Sequence, residues 1–129
     1  SRQATMRRRV LLSIHPEHAE AILNGQKHYE FRRVLFKERV KEVVLYATTP
    51  VCRVIGKFEI EDIYSDSPEA VWSKALGAAG ISHERFQNYF LGRDLAHAIK
   101  VSKPVRFSQS KPLSLYLKSN SPPQSFCYL

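Results

Sequence analysis

The stretch Leu23 to Arg33, LNGQKHYEFRR, decides how the rest of the chain is read. Asn24 and Gly25 supply the left-handed stop of a preceding helix. From Lys27 onward the residues alternate, with Tyr29 and Phe31 on one side and His28, Glu30 and Arg32 on the other. That period of two marks a half-buried strand, aromatics inward and charges toward solvent or a groove. Lys27 follows the helix-ending glycine, so its ammonium is expected to be held near the turn. Glu30 and Arg32 share a face, and a carboxylate beside a guanidinium fixes the orientation of its fork, which matches phosphate or the edge of a base. A solvated outer face is the ordinary reading of such charges, because exposed ion pairs contribute little. The aromatics interleaved with cations favour instead a site for something anionic.

Working outward, Arg7 to Ile14 (RRRVLLSI) reads as a first strand and HPEHAEAILNG as the helix that ends at Gly25. Pro16 suits the first helical position, Glu17 and Glu20 suit the positive N-terminal end, and Ala19, Ile22 and Leu23 form the apolar face. Lys41 to Ala47 and Val51 to Tyr64 read as further strands, with Gly56 marking a bulge where the second one bends. Ser67 and Ser82 cap two short helices, the first built on Val71, Trp72, Ala75 and Leu76, the second on Phe86, Tyr89 and Phe90 with Gly92 as its stop. Trp72, Phe86 and Phe90 are expected to be core. Strand patterning returns in LAHAIKV, PVRF and PLSLYL before a tail, KSNSPPQSFCYL. Strand, helix, several strands, two helices and strands again is not the alternation of a doubly wound sheet. It predicts an α+β fold: a small, strongly bent mixed or antiparallel β-barrel with three short helices plugging its ends.

The chain has 129 residues, one domain's worth, and 20 Lys+Arg against 12 Asp+Glu give it a net charge of +8. Such an excess favours an anionic partner and says nothing about fold. No apolar run is long enough to span a bilayer, so no membrane partner is expected. The basic start lacks the apolar segment of a secretory leader. Residues 1–6 read as a tag or linker remnant and residues 7–129 as a single domain, with a fused domain upstream left open. Cys52 and Cys127 are far apart and have no partners spaced for zinc, so neither a metal, a cofactor nor a disulfide is expected, and a cytoplasmic location is the default.

Gly25-x-Lys27-x-x-Glu30-x-Arg32 resembles the G-x-K-x-x-E-x-R signature of the ASCH domain family, a branch of the PUA-like β-barrels. LLSIHPEHAEAILNG is similar to that family's first strand and helix, and VVLYATTPVCRVIGKFEIEDI to its central strands. The stretch from Ser67 to Val101 resembles its helical insertion and return strand, and PLSLYLKSNSPPQSFCYL the ending of a bacterial and archaeal subgroup. The resemblance covers nearly the whole chain from about Arg8 onward. It implies a cleft, lined by the signature, that binds RNA, another single-stranded nucleic acid or a modified nucleoside. Some members are enzymes, either ribonucleases or N4-acylcytidine amidohydrolases, so activity does not follow from fold.

In an enzyme of this kind Lys27, matching the family's catalytic lysine by position, and Glu30 would be the catalytic pair. The small amidohydrolases carry Thr where this chain has Glu30, and an acid in the insertion where Gly77 to Ser82 has none. That departure leaves Glu30 as a clamp for Arg32 and makes a Lys27-assisted ribonuclease the enzymatic alternative, with His15 and His28 the conceivable imidazoles. As a binding module, the chain is expected to meet nucleic acid through Lys27, Glu30, Arg32 and Arg33. Ser13 and His15 at the strand-to-helix turn, Thr48 at the end of a central strand, and Gln124 and Ser125 in a tail folding back over the cleft would add contacts. Arg7, Arg8, Arg9, Arg53, Lys57, Lys100, Lys103, Arg106 and Lys111 would extend a basic track. Truncating Lys27 or Arg32 is expected to weaken RNA binding while leaving thermal stability nearly intact.

Overall fold

A computed structural model describes residues 8–129. Arg7 and the expected boundary between residues 6 and 7 lie outside the described residues. The chain folds into one six-stranded sheet: β1 (Arg8–Ile14), β2 (Tyr29–Arg32), β3 (Val40–Ala47), β4 (Arg53–Asp66), β5 (Ala96–Lys111) and β6 (Phe126–Tyr128). Their order is β2-β5-β4-β3-β1-β6; among the described residues β1 pairs with β3 in parallel and the other four pairings are antiparallel. Among the described residues three α-helices accompany the sheet, α1 (Pro16–Leu23), α2 (Pro68–Ala75) and α3 (His83–Tyr89). The fold is α+β, and the expected barrel is a curled half-barrel, with β2 and β6 at its two edges.

The strand composition explains the layering. β1 and β3 lie in the middle of the sheet and are covered on both faces, which is why they read as nearly continuous apolar runs. Val10, Leu12, Ile14, Val43, Leu45 and Ala47 face one core with Ala19 and Ile22 of α1. Leu11, Val44 and Tyr46 face another with Val54 and Leu113. A third core forms where the helical insertion covers β2 and β5: Tyr29 and Phe31 pack with Val71, Phe86 and Phe90. Trp72 packs against that core partly buried, and both serine caps form, Ser67 Oγ accepting from Ala70 N and Ser82 Oγ from Arg85 N.

The long β4–β5 pair gives the sheet its curl. Its register shifts three times, once between Val54 and Gly56, where the sequence predicted a bulge. Gly56 must stay bare, because a Cβ there would lie 2.6 Å from the Val105 carbonyl oxygen and 2.8 Å from a Leu23 methyl. One expected strand does not exist. The ladder of β5 ends at Lys111, and PLSLYL follows as a 3₁₀ turn over Leu113–Leu115. In a strand Leu113 and Leu115 would share a face, but Leu113 is buried while Leu115 is 67% exposed. Pro112 lacks an N–H for the ladder, and three residues are too few to separate period two from period three.

Candidate functional site

Between α1, β2, α3 and the C-terminal tail lies a cleft of about 630 Å³. Its floor is the strand read first. The turn into that strand is set by Gly25, whose φ of +86° favours a residue without a Cβ. The backbone then becomes fixed from two directions, because Lys27 N donates to Ala21 O in α1 and His28 N to Ala78 O in the insertion loop. This clamping carries the Lys27 side chain inward, not out into solvent.

Lys27 is 2% exposed. Its ammonium donates to the Ala79 carbonyl at 3.0 Å and sits 4.7 Å from the centroid of the Phe31 ring. Burial pushes its pKa down, partly countered by the Glu30 carboxylate. The insertion loop that lacks a carboxylate therefore offers Lys27 a backbone oxygen. Gly80 of the same loop packs against the lysine stem so closely that a Cβ there would lie 2.6 Å from both Lys27 Cβ and Cγ.

Glu30 and Arg32 form the ion pair read from the sequence, Nη1 to Oε2 at 3.1 Å, with side chains only 6% and 14% exposed respectively. Arg32 has further partners. Its Nη2 donates to Ser125 Oγ at 2.6 Å, and its Nη1 lies 3.5 Å from the Ser13 carbonyl oxygen. Ser13 in turn donates its N–H to Ser125 O and its hydroxyl to Pro123 O at 2.7 Å. Arg32 stands on one edge strand and Ser125 immediately precedes the other. The guanidinium thus staples the two edges of the curled sheet, where no backbone ladder joins them. The expectation that truncating Arg32 spares stability does not fit this burial, since removing one partner of a buried pair leaves the other charge uncompensated. For Lys27, truncation leaves Ala79 O without its donor.

The other predicted residues divide. His15, Arg33 and Gln124 line the cleft with Ser13, Lys27, Glu30 and Arg32. Arg33 is anchored, its Nε donating to Tyr89 O at 2.8 Å and its guanidinium carbon 4.3 Å from the Tyr89 ring centroid. Ser125 acts on the cleft through Arg32. Thr48 is not among the lining residues; its N–H donates to Ile14 O and its carbonyl accepts from Val51 and Cys52, which is turn chemistry. His28 lies outside as well, exposed and hydrogen-bonded to Gly25 O. None of the described members of the basic track lines the cleft, and Arg8, Lys57, Lys100 and Arg106 are paired with acids elsewhere.

Four lining residues with polar groups were not among the predicted site residues: His18, Arg85, Asn88 and Tyr89. His18 had a local signal, standing on α1 three residues after the N-cap His15, and the two rings lie 6.3 Å apart. Burial, then the Lys27 charge, lowers the His18 pKa. The other three belong to α3, and only the docking of the insertion brings them opposite the motif. Among the described residues, no three His, Cys, Asp or Glu side chains come together to hold a metal ion.

The ASCH domain model matches residues 12–105, more than half of the chain, and the chain belongs to that family. Over 126 residues it is 32% identical to the ASCH domain-containing ribonuclease of Zymomonas mobilis, covering 95% of this chain and 85% of that one. The crystal structure of ASCH from Zymomonas mobilis superposes with a TM-score of 0.86 at 30% identity, covering 94% of this chain and 87% of that chain. The large ribosomal subunit protein uL22 of Ureaplasma parvum is 27% identical over 121 residues, but this chain spans only 39% of its length. Among the described residues, no helix is long and apolar enough to cross a membrane.

Proposed function

We propose that this chain binds single-stranded RNA, or a nucleotide within it, in the cleft between β2, α1 and α3. The observation that carries this reading is the composition of the walls. Lys27, Arg32, Arg33 and Arg85 stand against Glu30 as the single lining carboxylate, with the flat ring of Tyr89 beside them. The cleft volume of about 630 Å³ falls within the range of about 300–1,000 Å³ usual for small-molecule sites. Cations hold the phosphate, and a ring face accepts a base whatever its identity. Glu30 sets the position of Arg32 from below, Lys27 is held by the Ala79 carbonyl, and the more exposed groups meet the ligand. The cytoplasmic setting expected from two unpaired cysteines belongs to this proposal.

A second reading, strand cleavage, is favoured by the ribonuclease name of the Zymomonas relative and by the two neighbouring imidazoles, His15 at the N-cap of α1 and His18 within it. Cleavage without a metal proceeds by attack of the 2′-oxygen on phosphorus, loss of the 2′-hydroxyl proton to a base, and departure of the 5′-oxygen with a proton from an acid. The products are a 2′,3′-cyclic phosphate and a 5′-hydroxyl. His18, whose pKa is lowered by burial and then by the Lys27 charge, suits the base. In this reading His15 would protonate the leaving oxygen and Arg33, which lines the cleft, would stabilise the phosphorane charge.

The test is incubation of purified protein with end-labelled single-stranded RNA, with and without a chelator, alongside binding titrations at several salt concentrations. Binding that weakens with salt supports phosphate contact, and cyclic-phosphate ends in the presence of chelator support cleavage. Absence of RNA affinity at low salt in a folded protein removes both readings.

A further inference from the structure

Arg85 differs from every other cation in the cleft. Arg32 is buried in its clamp, Lys27 is spent on Ala79, and Arg33 is anchored on Tyr89. Arg85 comes from α3 and engages Glu17, in the first turn of α1. Nη1 reaches Oε2 at 3.0 Å and Nη2 reaches Oε1 at 3.4 Å. This fork-to-fork pair crosses from one helix to the other at the cleft wall, with side chains 51% and 68% exposed. Arg85 lines the cleft and Glu17 does not.

We propose that Arg85 grips an RNA phosphate and that Glu17 is a displaceable stand-in for that phosphate, setting how available Arg85 is to the ligand. This inference rests on the RNA-binding reading and extends it to two residues outside the motif. A carboxylate and a phosphodiester offer a guanidinium the same bidentate oxygen pair, so one replaces the other without moving the arginine far. Exposure makes the exchange feasible. A solvated pair contributes little, so releasing Glu17 into water costs little, whereas the buried Glu30–Arg32 pair cannot open in the same way. Glu17 therefore restrains affinity, and its neutralisation strengthens binding.

Fluorescence anisotropy with a short labelled single-stranded RNA tests this in wild type, Glu17→Gln, Arg85→Ala and the double variant, each checked for folding by thermal melting. Glu17→Gln is expected to bind about two- to fivefold tighter. Arg85→Ala should bind at least about threefold weaker, with a salt dependence shallower by about one unit. In the double variant the gain from Glu17→Gln should vanish. Equal tightening with and without Arg85 would mean a long-range charge effect and would overturn the proposal. So would weaker binding by Glu17→Gln, which would make the pair a brace between helices. If wild type binds RNA and Glu17→Gln changes nothing, this inference falls and the RNA-binding reading stands. If wild type does not bind, both fall.

Discussion

Two glutamate–arginine pairs sit at the same cleft at different depths, and they do different work. Glu30–Arg32 is almost dry, joined to Ser125 and close to the Ser13 carbonyl, and it holds the edges of the sheet together. Glu17–Arg85 has similar separation but stands in water between two helices. The chemistry of the pairs is the same. Burial decides which of them is scaffold and which is free to meet a ligand, because removing solvent multiplies the cost of an unpartnered charge.

The largest effect should come from breaking the buried pair. Arg32→Ala is expected to lose about 3–5 kcal/mol in denaturant unfolding, and adding Glu30→Gln should restore part of it. A loss no greater than that of an ordinary surface substitution would show that Arg32 is free, as its sequence context first suggested. Next comes the loop that seats Lys27. Gly80→Ala combines a φ of +72° with a Cβ only 2.6 Å from the lysine stem, for a loss of about 2–4 kcal/mol. Gly77→Ala, with φ +83° but open space around its Cβ, should lose only about 1 kcal/mol. Equal losses would deny the packing of Gly80 on Lys27.

His18 gives a smaller, pH-dependent effect. Its pKa is lowered in the folded protein, so on acidification the unfolded chain takes up a proton first. The stability associated with neutral His18 is therefore complete above the ordinary histidine pKa and is lost as pH falls below it. His18→Asn should flatten that acid decline in unfolding experiments. If RNA is cleaved, the acid limb of the wild-type rate should lie below the ordinary histidine pKa and disappear in the same variant. The smallest effect belongs to the exposed pair, where Glu17→Gln should shift the melting temperature by no more than about 2 °C. A larger drop would place that pair with the buried one and erase the contrast.

Much of the fold was legible because local patterning and tertiary packing agree. The alternation of Tyr29 and Phe31 with charges, the apolar runs of β1 and β3, the caps at Ser67 and Ser82, and the bulge near Gly56 each have a local cause. The misreadings have physical causes too. PLSLYL was too short to reveal its period, and the hydroxyls after Tyr46 belong to a turn whose hydrogen bonds leave Thr48 outside the cleft. At the site, Glu30–Arg32 was visible as a pair two positions apart, but its burial was not. Arg85 and Tyr89 gave no signal, because they reach the cleft only through the docking of a helix distant in sequence.

By itself, the order of residues determined the element types, the family resemblance and the pairing of Glu30 with Arg32, all of which depend on neighbours a few positions apart. Tertiary structure alone decided that Lys27 points inward to a carbonyl, that Arg32 bridges the sheet edges, and that Arg85 faces the motif across open space. Burial and long-range proximity depend on how the sheet curls and where the insertion lands, and no local pattern of side chains encodes either.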